Sequence, residues 1–371
     1  MDESVLETLF NGYYNVIPIK NKPKLIWYFN NPPYPIENLP VLYKPIFNNS
    51  PLIYNGIIYF SDKEGNFYAV NTNSGQLIWK VHFENVDEIT TPIICNEIIF
   101  IGVNNLGIIG LDYKSGKIVF RLNNNGDFIF PPIIIDSVIY FFTIKPSMQH
   151  LNIIFNAFDI KKERYIYKKK FPTNIKKPVF FISHNFLLFY QNYINEILYC
   201  FEIKSGRMRW KKEIQNIINK KFLYDKNKVF LFAWDVNLKF YLIDINNGNI
   251  LTTKTIDNIN ERPMNILLAS DDKNIYAGIN NLILIIDKKS GNIIRTIKIE
   301  NEIGPYMTIV NDVLYISLFD IEKKIFLCAI DLNSEKILWK LTGYSLSDYS
   351  PYFDNNSIYI IGYSTVYKLS E

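Results

Sequence analysis

The sequence is poor in cysteine and histidine, the residues that most often build disulfide frameworks and metal sites. Its 371 residues include three cysteines and three histidines. Cys95, Cys200 and Cys328 are widely spaced, and each lies in an apolar, strand-like run. Neither a Cys-x-x-Cys pair nor a His-Glu-x-x-His motif occurs. We therefore expect buried free thiols, no disulfide framework and no metal site.

Excess charge of one sign and long apolar runs are also scarce. The formal net charge is +4, and clusters such as Lys168, Lys169 and Lys170 are scattered and lack a nucleic-acid motif around them. We therefore expect solvated charges and no nucleic-acid partner. No run reaches the roughly 18 apolar residues of a membrane helix. The N-terminus, with acids at positions 2, 3 and 7, does not resemble a signal peptide, so a soluble chain without a transmembrane span is expected.

The motifs of common catalytic sites are missing as well. The chain contains no paired-carboxylate motif, no nucleophile motif and no glycine-rich phosphate loop. These absences predict a protein that is not an enzyme. No catalytic residue and no cofactor are expected.

What the sequence does contain is a motif that recurs seven times. Its template is an acidic or amide residue, two spacers, a small residue, glycine, three further positions and an aromatic residue. The copies begin at Asn71, Asp112, Asp159, Glu202, Asp244, Asp287 and Asp331. Successive copies are 41 to 47 residues apart. This period is that of a four-stranded β-propeller blade, about 40–45 residues.

Each copy has the composition of a tight β-hairpin. The leading Asp or Asn can accept a hydrogen bond from the backbone two residues on. Glycine then supplies the positive φ at which the chain reverses with a bulge. The predicted turn glycines are Gly75, Gly116, Gly206, Gly248 and Gly291. Glu163 and Glu335 take this position in two copies, where we expect strain or a different turn.

The two ends of the chain contain parts of one further blade. The C-terminal stretch DYSPYFDNNSIYIIGYSTVYKLSE supplies three strands and no fourth. Near the N-terminus, KPKLIWYFN reads as a lone outer strand. We expect this strand to join the C-terminal blade and close the ring without a free sheet edge. The predicted fold class is all-β, an eight-bladed β-propeller of four-stranded antiparallel blades.

The domain prediction follows from this count. Residues 1–24 form an N-terminal head, and residues 25–371 form a single eight-bladed propeller domain. The stretch 30–51 contains six prolines and does not fit the repeat. It is predicted to be a long, stiffened loop between the first outer strand and the next inner strand.

Aromatic residues occupy the last motif position in most outer strands. A side chain that recurs in every blade belongs to the scaffold, so we expect these residues to dock blade against blade. The predicted docking residues are Trp27, Trp79, Phe120, Tyr167, Trp210 and Trp339. Thr252 and Arg295 stand at this position in two outer strands, where weaker docking is expected.

The repeats resemble those of a known superfamily. AVNTNSGQLIW (69–79) and AIDLNSEKILW (329–339) follow the tryptophan-docking pattern Ala-x-Asp-x-x-Thr-Gly-x-x-x-Trp of eight-bladed quinoprotein-type propellers. One branch comprises quinone-dependent dehydrogenases, whose alcohol-dehydrogenase type carries an adjacent Cys-Cys pair that this chain lacks. The second branch is the outer-membrane assembly factor BamB family. The head TLFNGYYNV, the lone tryptophan strand and the long loop resemble that family in order.

The resemblance to the BamB family implies a function without catalysis. It implies a scaffold that binds the BamA subunit of the β-barrel assembly machine and is a monomer within that complex. It also implies a lipoprotein on the periplasmic face of the outer membrane. The family's signal segment and lipidated cysteine are not recognisable in this sequence, so a cytoplasmic location is the alternative.

The same resemblance places the partner contact in the loops after the fourth and fifth outer strands. These are KKKFPTNIKKP (168–178) and KKEIQNIINKKF (211–222). The first is basic and apolar through Phe171, Ile175, Lys176 and Lys177, which are the predicted partner-binding residues. The second has one acid, Glu213, where the family has an acidic pair.

Two other functions stay open at this point. The chain could be an unexported propeller scaffold with an unknown protein partner. It could also bind a quinone or another small ligand at the propeller axis, where such folds offer a concave site.

Overall fold

The computed structural model describes most of the chain. The described residues are 17–30, 47, 49–86, 88–124, 127–128, 131–146, 151–171, 179–182, 185–191, 196–218, 223–225, 227–257, 259, 261–263, 266–344, 346, 351–354, 356–362 and 365–371. Most of the segment predicted as the proline-rich loop 30–51 lies outside them. Across the described residues, every helix or strand element is a β-strand.

The strands are short and follow one another along the whole chain. The first fourteen are β1 (Lys24–Asn30), β2 (Leu52–Tyr54), β3 (Ile57–Ser61), β4 (Asn66–Asn71), β5 (Leu77–His82), β6 (Ile93–Cys95), β7 (Ile98–Val103), β8 (Gly107–Asp112), β9 (Ile118–Leu122), β10 (Asp127–Phe128), β11 (Ile133–Ile135), β12 (Val138–Pro146), β13 (Leu151–Asp159) and β14 (Arg164–Phe171). The next sixteen are β15 (Val179–Ile182), β16 (Phe186–Gln191), β17 (Ile197–Glu202), β18 (Met208–Glu213), β19 (Leu223–Asp225), β20 (Lys228–Trp234), β21 (Leu238–Asp244), β22 (Ile250–Ile256), β23 (Leu267–Ser270), β24 (Asn274–Ile279), β25 (Leu282–Asp287), β26 (Ile293–Lys298), β27 (Ile303–Val310), β28 (Val313–Phe319), β29 (Ile325–Asp331) and β30 (Ile337–Leu341). The last three are β31 (Tyr352–Asp354), β32 (Ser357–Ile361) and β33 (Thr365–Ser370).

The strands belong to two compact units. Unit 1 contains Asn21–Thr173 and Leu341–Glu371. Its sheets are blade 1 (β2-β3-β4-β5), blade 2 (β6-β7-β8-β9), blade 3 (β12-β13-β14, with β10 and β11 both paired to β12) and blade 8 (β31-β32-β33-β1). Unit 2 contains Asp2–Lys20 and Asn174–Lys340. Its sheets are blade 4 (β15-β16-β17-β18), blade 5 (β19-β20-β21-β22), blade 6 (β23-β24-β25-β26) and blade 7 (β27-β28-β29-β30).

These eight antiparallel sheets confirm the predicted fold class, an eight-bladed β-propeller of four-stranded blades, with a fifth short strand in blade 3. The predicted joining of the two chain ends is also present. Strand β1 pairs antiparallel with β33, with Lys24 opposite Ser370 and Asn30 opposite Thr365. The edge of blade 8 is therefore completed by the N-terminal strand. The assignment of residues 25–371 to a single domain stays a prediction.

The core lies between the faces of neighbouring blades within each unit. In blade 1, the middle strands β3 and β4 are buried at nearly every position. Tyr59 and Phe67 of blade 1 belong to one apolar cluster with Ile99 and Leu111 of blade 2, and all four are fully buried. Long Ile-rich and Phe-rich runs form these strands because both faces of the sheet are covered.

The segment ahead of β1 makes a second contact that matters for unit 2. Ile19 is almost completely buried, and its carbonyl oxygen accepts a hydrogen bond from Trp339 Nε1 at 3.1 Å. The Tyr315 hydroxyl bonds the same residue twice, accepting from its N–H at 2.6 Å and donating to its carbonyl at 3.2 Å. A short N-terminal peptide therefore supplies the acceptor for the last tryptophan of the unit.

We expect removal of residues 1–20 to destabilise the protein more than removal of residues 1–16. The longer deletion takes away the Ile19 carbonyl, which leaves the buried Trp339 N–H without its acceptor. An orphaned buried donor costs about 1–3 kcal/mol. Urea unfolding followed by tryptophan fluorescence measures the two midpoints. Equal midpoints for the two deletions would contradict a role for Ile19.

Candidate functional site

The repeat hairpins share one backbone conformation. In blade 2, the Gly116 N–H donates to the Asp112 carbonyl at 2.9 Å, and Gly116 has φ = 69°. The Asp112 carboxylate accepts from the Ser115 N–H at 2.8 Å. Hydrogen bonds from Ser115 hold the pKa of the Asp112 carboxyl below its usual value. The equivalent glycines have the same left-handed φ of 66–75°; they are Gly75, Gly206, Gly248 and Gly291.

The two copies with glutamate share the left-handed φ of this turn. Glu163 has φ = 49° and Glu335 has φ = 58°. A residue with a Cβ is disfavoured at positive φ, so the expected strain has a physical basis at both positions. The other expectation, a different turn, stays a prediction for these hairpins.

The residue after the turn Asp or Asn links neighbouring blades. Its N–H donates to the turn between the first two strands of its own blade; in blade 2, Tyr113 N–H donates to the Glu97 carbonyl between β6 and β7 at 3.2 Å. Its carbonyl accepts from the preceding blade, as Tyr113 does from Trp79 Nε1 at 3.1 Å and from the Tyr59 hydroxyl at 3.0 Å. One peptide unit thus stabilises both the hairpin and the contact between blades 1 and 2.

Two further tryptophans use the same acceptor position. Trp27 Nε1 donates to the Thr72 carbonyl at 2.8 Å, and Trp210 Nε1 donates to the Ile245 carbonyl at 2.6 Å. The indole rings lie directly on the turn glycines. A Cβ added to Gly248 would come within 2.7 Å of Trp210, and one added to Gly75 within 2.8 Å of Trp27. Glycine is therefore required here by the ring as well as by φ.

The other aromatic docking residues make apolar contacts. Phe120 of blade 2 meets Phe158 of blade 3 edge to face, with centroids 6.3 Å apart. Tyr167 packs on Phe155 within blade 3 at 6.0 Å. A docking role for Tyr167 beyond its own unit stays a prediction.

A lysine replaces the tryptophan donor where the aromatic position holds Thr252. Lys228 Nζ donates to the Lys288 carbonyl, the equivalent acceptor in blade 6, at 3.2 Å. The Lys288 side chain is itself buried and pairs with Asp225 at 3.1 Å. Blades 5 and 6 are therefore linked through two lysines, which the sequence motif did not indicate.

The second exception, Arg295, keeps the acceptor and adds an ion pair. Its guanidinium donates to the Leu332 carbonyl of blade 7 and lies 3.3 Å from Glu335 Oε1. Glu335 is the residue that replaces the turn glycine. The two departures from the motif thus occur in one contact, where a flexible cation replaces the ring and a carboxylate replaces glycine.

Two of the three thiols are buried as expected from the sequence. Cys200 and Cys328 are inaccessible, and burial raises their pKa values to about 12 and about 11. Both therefore stay protonated near neutral pH. Cys95 is half-buried and free.

The predicted partner-binding residues need one correction. Phe171 is the last residue of β14, not a loop residue, and only 3% of it is exposed. Its ring packs near Phe142, with centroids 6.2 Å apart, because the strand extends further than the motif implied. Ile175, Lys176 and Lys177 lie outside the described residues.

A polar cleft lies between blades 4 and 5 and was not predicted from the sequence. Its volume is about 300 Å³. The lining includes Asn185, Lys204, Arg209, Tyr224, Asn227 and Asn246. One signal was visible in the sequence. Arg209 directly precedes the docking aromatic, a position that is apolar in the other copies, as at Ile78, Val119 and Ile294.

The described residues include no candidate membrane span and no candidate metal site. No helix there is long and apolar enough to cross a membrane. Nor do three or more His, Cys, Asp or Glu side chains come together in that part of the chain as a metal site would require.

Comparison of the sequence with known proteins gives a partial match to a curated protein. No protein-family model matches the chain. A tetrathionate hydrolase of Acidithiobacillus ferrooxidans is 23% identical over 219 residues, which is 55% of this chain and 41% of that protein. The chain therefore matches less than half the length of this curated relative.

Solved structures match over most of the chain at low sequence identity. The computationally designed Ika8 protein has a TM-score of 0.66 at 12% identity, covering 89% of this chain and 97% of Ika8. BamB from Moraxella catarrhalis has a TM-score of 0.53 at 12% identity, and the match covers 88% of this chain and 85% of BamB. Quinohemoprotein alcohol dehydrogenase from Comamonas testosteroni has a TM-score of 0.63 at 11% identity, and the match covers 94% of this chain and 76% of the dehydrogenase. The chain is thus an eight-bladed propeller that resembles both BamB and quinoprotein dehydrogenases.

The pair Arg295 and Glu335 predicts a compensating double substitution. Arg295→Trp alone should destabilise the protein by about 1–3 kcal/mol, because the indole would overlap the Cβ of Glu335. Adding Glu335→Gly should restore stability, since the ring can then rest on glycine as in the other blades. Urea unfolding of wild type, both single variants and the double variant gives the coupling energy. Additive effects of the two substitutions would contradict this interpretation.

Proposed function

We propose that this chain is a non-enzymatic interaction subunit of an outer-membrane β-barrel assembly machine, with BamA as its partner. The observation that carries the proposal is the match to BamB over 88% of this chain and 85% of BamB. The N-terminal strand that completes blade 8 agrees with the segment order on which the family resemblance rests. The proposed location is the periplasmic face of the outer membrane.

The distribution of the repeat residues supports an interaction role. Trp79, Trp210 and their acceptors Tyr113 and Ile245 serve contacts between blades. In such a scaffold, the partner is bound by residues outside the repeat motif, in the connecting loops and on the surface. An unexported scaffold with a different protein partner, resident in the cytoplasm, is the alternative.

The candidate partner loop follows directly from β14. The exposed Lys168 and Lys170 near the end of this strand continue the positive charge of Lys176 and Lys177. Phe171 is left out of the contact because its ring is buried. The revised proposal therefore rests on the lysines and not on the aromatic residue.

The partner can be tested with the purified periplasmic domains of BamA. We expect binding in the micromolar range, and Lys176→Glu with Lys177→Glu should weaken it at least tenfold by reversing the charge of the loop. The control is Lys161→Glu with Lys289→Glu, two exposed hairpin lysines that carry the same charge change. Biolayer interferometry provides the affinities.

Two outcomes separate the parts of this proposal. Equal affinity of the loop variant and wild type would remove the loop assignment and leave the scaffold role. No binding of wild type at micromolar concentration would count against BamA and favour the cytoplasmic alternative.

A second candidate function, quinone binding, is favoured by one observation. The quinohemoprotein alcohol dehydrogenase matches 94% of this chain with a TM-score of 0.63. At 11% identity this match shows the fold and carries no argument about individual side chains. This candidate therefore rests on the fold alone.

Thermal unfolding with pyrroloquinoline quinone and Ca²⁺ tests the second candidate. A ligand present at a hundredfold excess over its Kd stabilises the folded state by about 2.7 kcal/mol, so a true binder should raise the Tm by several degrees. Ca²⁺ alone is the control. We expect no shift at 100-fold molar excess of the quinone; a clear rise would favour this candidate over the scaffold.

A further inference from the structure

The polar cleft between blades 4 and 5 is built from hairpin turns of unit 2. Asn185 belongs to the β15–β16 turn and Lys204 to the β17–β18 turn of blade 4. Asn227 and Asn246 belong to the corresponding turns of blade 5. The cleft therefore lies at the turn end of these two blades.

This end is not the one from which the predicted partner loop 211–222 leaves. In an antiparallel blade, the turns β15–β16 and β17–β18 share one end, and the exit from β18 lies at the other. The cleft consequently lies at the opposite end of blade 4 from the exit of β18, where the second of the two predicted loops begins.

The charge of the lining is positive. Lys204 and Arg209 contribute two cations, and Glu202 contributes the only carboxylate among the lining residues. The Glu202 carboxylate accepts a hydrogen bond from the Ser205 hydroxyl at 2.5 Å, so it is engaged by its own turn. The amides of Asn185 and Asn227 add neutral donors, a composition that suits an anion, whereas the Asn246 amide donates to Asp244 Oδ1 at 3.2 Å.

Arg209 is held in a position to bind a carboxylate. Its guanidinium carbon lies 4.8 Å from the centroid of the buried Phe186 ring. A guanidinium that uses its face on an aromatic ring keeps N–H donors at its edge, which match the two oxygens of a carboxylate. The ring thus orients the cation and reduces the entropy lost on binding.

The neighbouring strand edge indicates what kind of molecule carries the carboxylate. Strand β18 is the last strand of blade 4 and is paired on one side to β17. No strand among the described residues pairs with its other edge, which begins at Met208, 51% exposed beside Arg209. An extended peptide can pair with such an edge through its backbone while a side chain enters an adjacent pocket.

We propose that this cleft binds an acidic side chain of an extended peptide segment in a partner protein. The segment 202–213 carries five cations, at Lys204, Arg207, Arg209, Lys211 and Lys212, against two acids at its ends. This charge excess is complementary to an acidic peptide and would speed the encounter.

The probe for the test is a fluorescein-labelled, capped hexapeptide, Thr-Val-Thr-Glu-Val-Thr, and its matched form with Gln in place of Glu. Fluorescence anisotropy should show binding of the Glu peptide with a Kd of about 0.1 mM or tighter. Lys204→Glu with Arg209→Glu should weaken it at least tenfold. Unlabelled glutarate as competitor distinguishes a peptide site from a site for small dicarboxylates.

The control variant is Lys289→Glu with Lys161→Glu. Both lysines are exposed and have the turn position of Lys204, in blades 6 and 3 respectively, and neither is among the cleft-lining residues. The control should stay within twofold of wild type. Thermal unfolding should show that both variants remain folded.

Several results would overturn the proposal. Equal binding of the Gln and Glu peptides would remove the role of the carboxylate. An equal loss of affinity for the Glu peptide in the control variant would show that the effect of Lys204→Glu with Arg209→Glu comes from the change in net charge alone. Binding of glutarate as tightly as the peptide would overturn the peptide assignment. None of these results depends on whether BamA binds elsewhere on the chain.

Discussion

One hydrogen-bond acceptor organises this propeller: the carbonyl of the residue that follows the turn Asp or Asn. This peptide lies where two blades meet, so its oxygen is removed from water and must find a donor. In blades 2 and 5 the donor is an indole N–H, at Tyr113 and Ile245 respectively. The turn positions this carbonyl, the docking ring donates to it, and the apolar faces of the blades bury it.

The acceptor is more constant than the donor. Lysine supplies the donor to Lys288 and arginine supplies it to Leu332, so these two contacts keep the hairpin acceptor. Trp339 is the exception, because it keeps the indole donor and takes its acceptor, the carbonyl of Ile19, from a separate segment. Any donor of sufficient reach satisfies a backbone carbonyl, whereas the backbone position itself is set by the hairpin. The tryptophan is therefore one solution to the contact and not its cause.

Function in such a scaffold is expected where a copy departs from the repeat for no structural reason. Arg295 and Glu335 depart from it and compensate one another at a blade contact. Arg209 also departs from it, yet it lines an open cleft. The two arginines differ in what each side chain contacts: Arg295 binds Leu332 and Glu335 of the next blade, whereas Arg209 packs on Phe186 of its own blade at the cleft.

The sequence alone determined the fold class, the blade period and the joining of the chain ends, since these follow from turn chemistry and strand patterning repeated many times. The repeat is recognisable in the sequence because the backbone hydrogen bonds of each hairpin are made within that hairpin. Only the tertiary structure decided that Phe171 is buried, that Lys228 replaces a missing ring, and that Lys204 and Arg209 line one cleft. Those facts depend on which side chains meet across neighbouring blades or strands, and side chains distant in sequence carry no periodic signal of their contact.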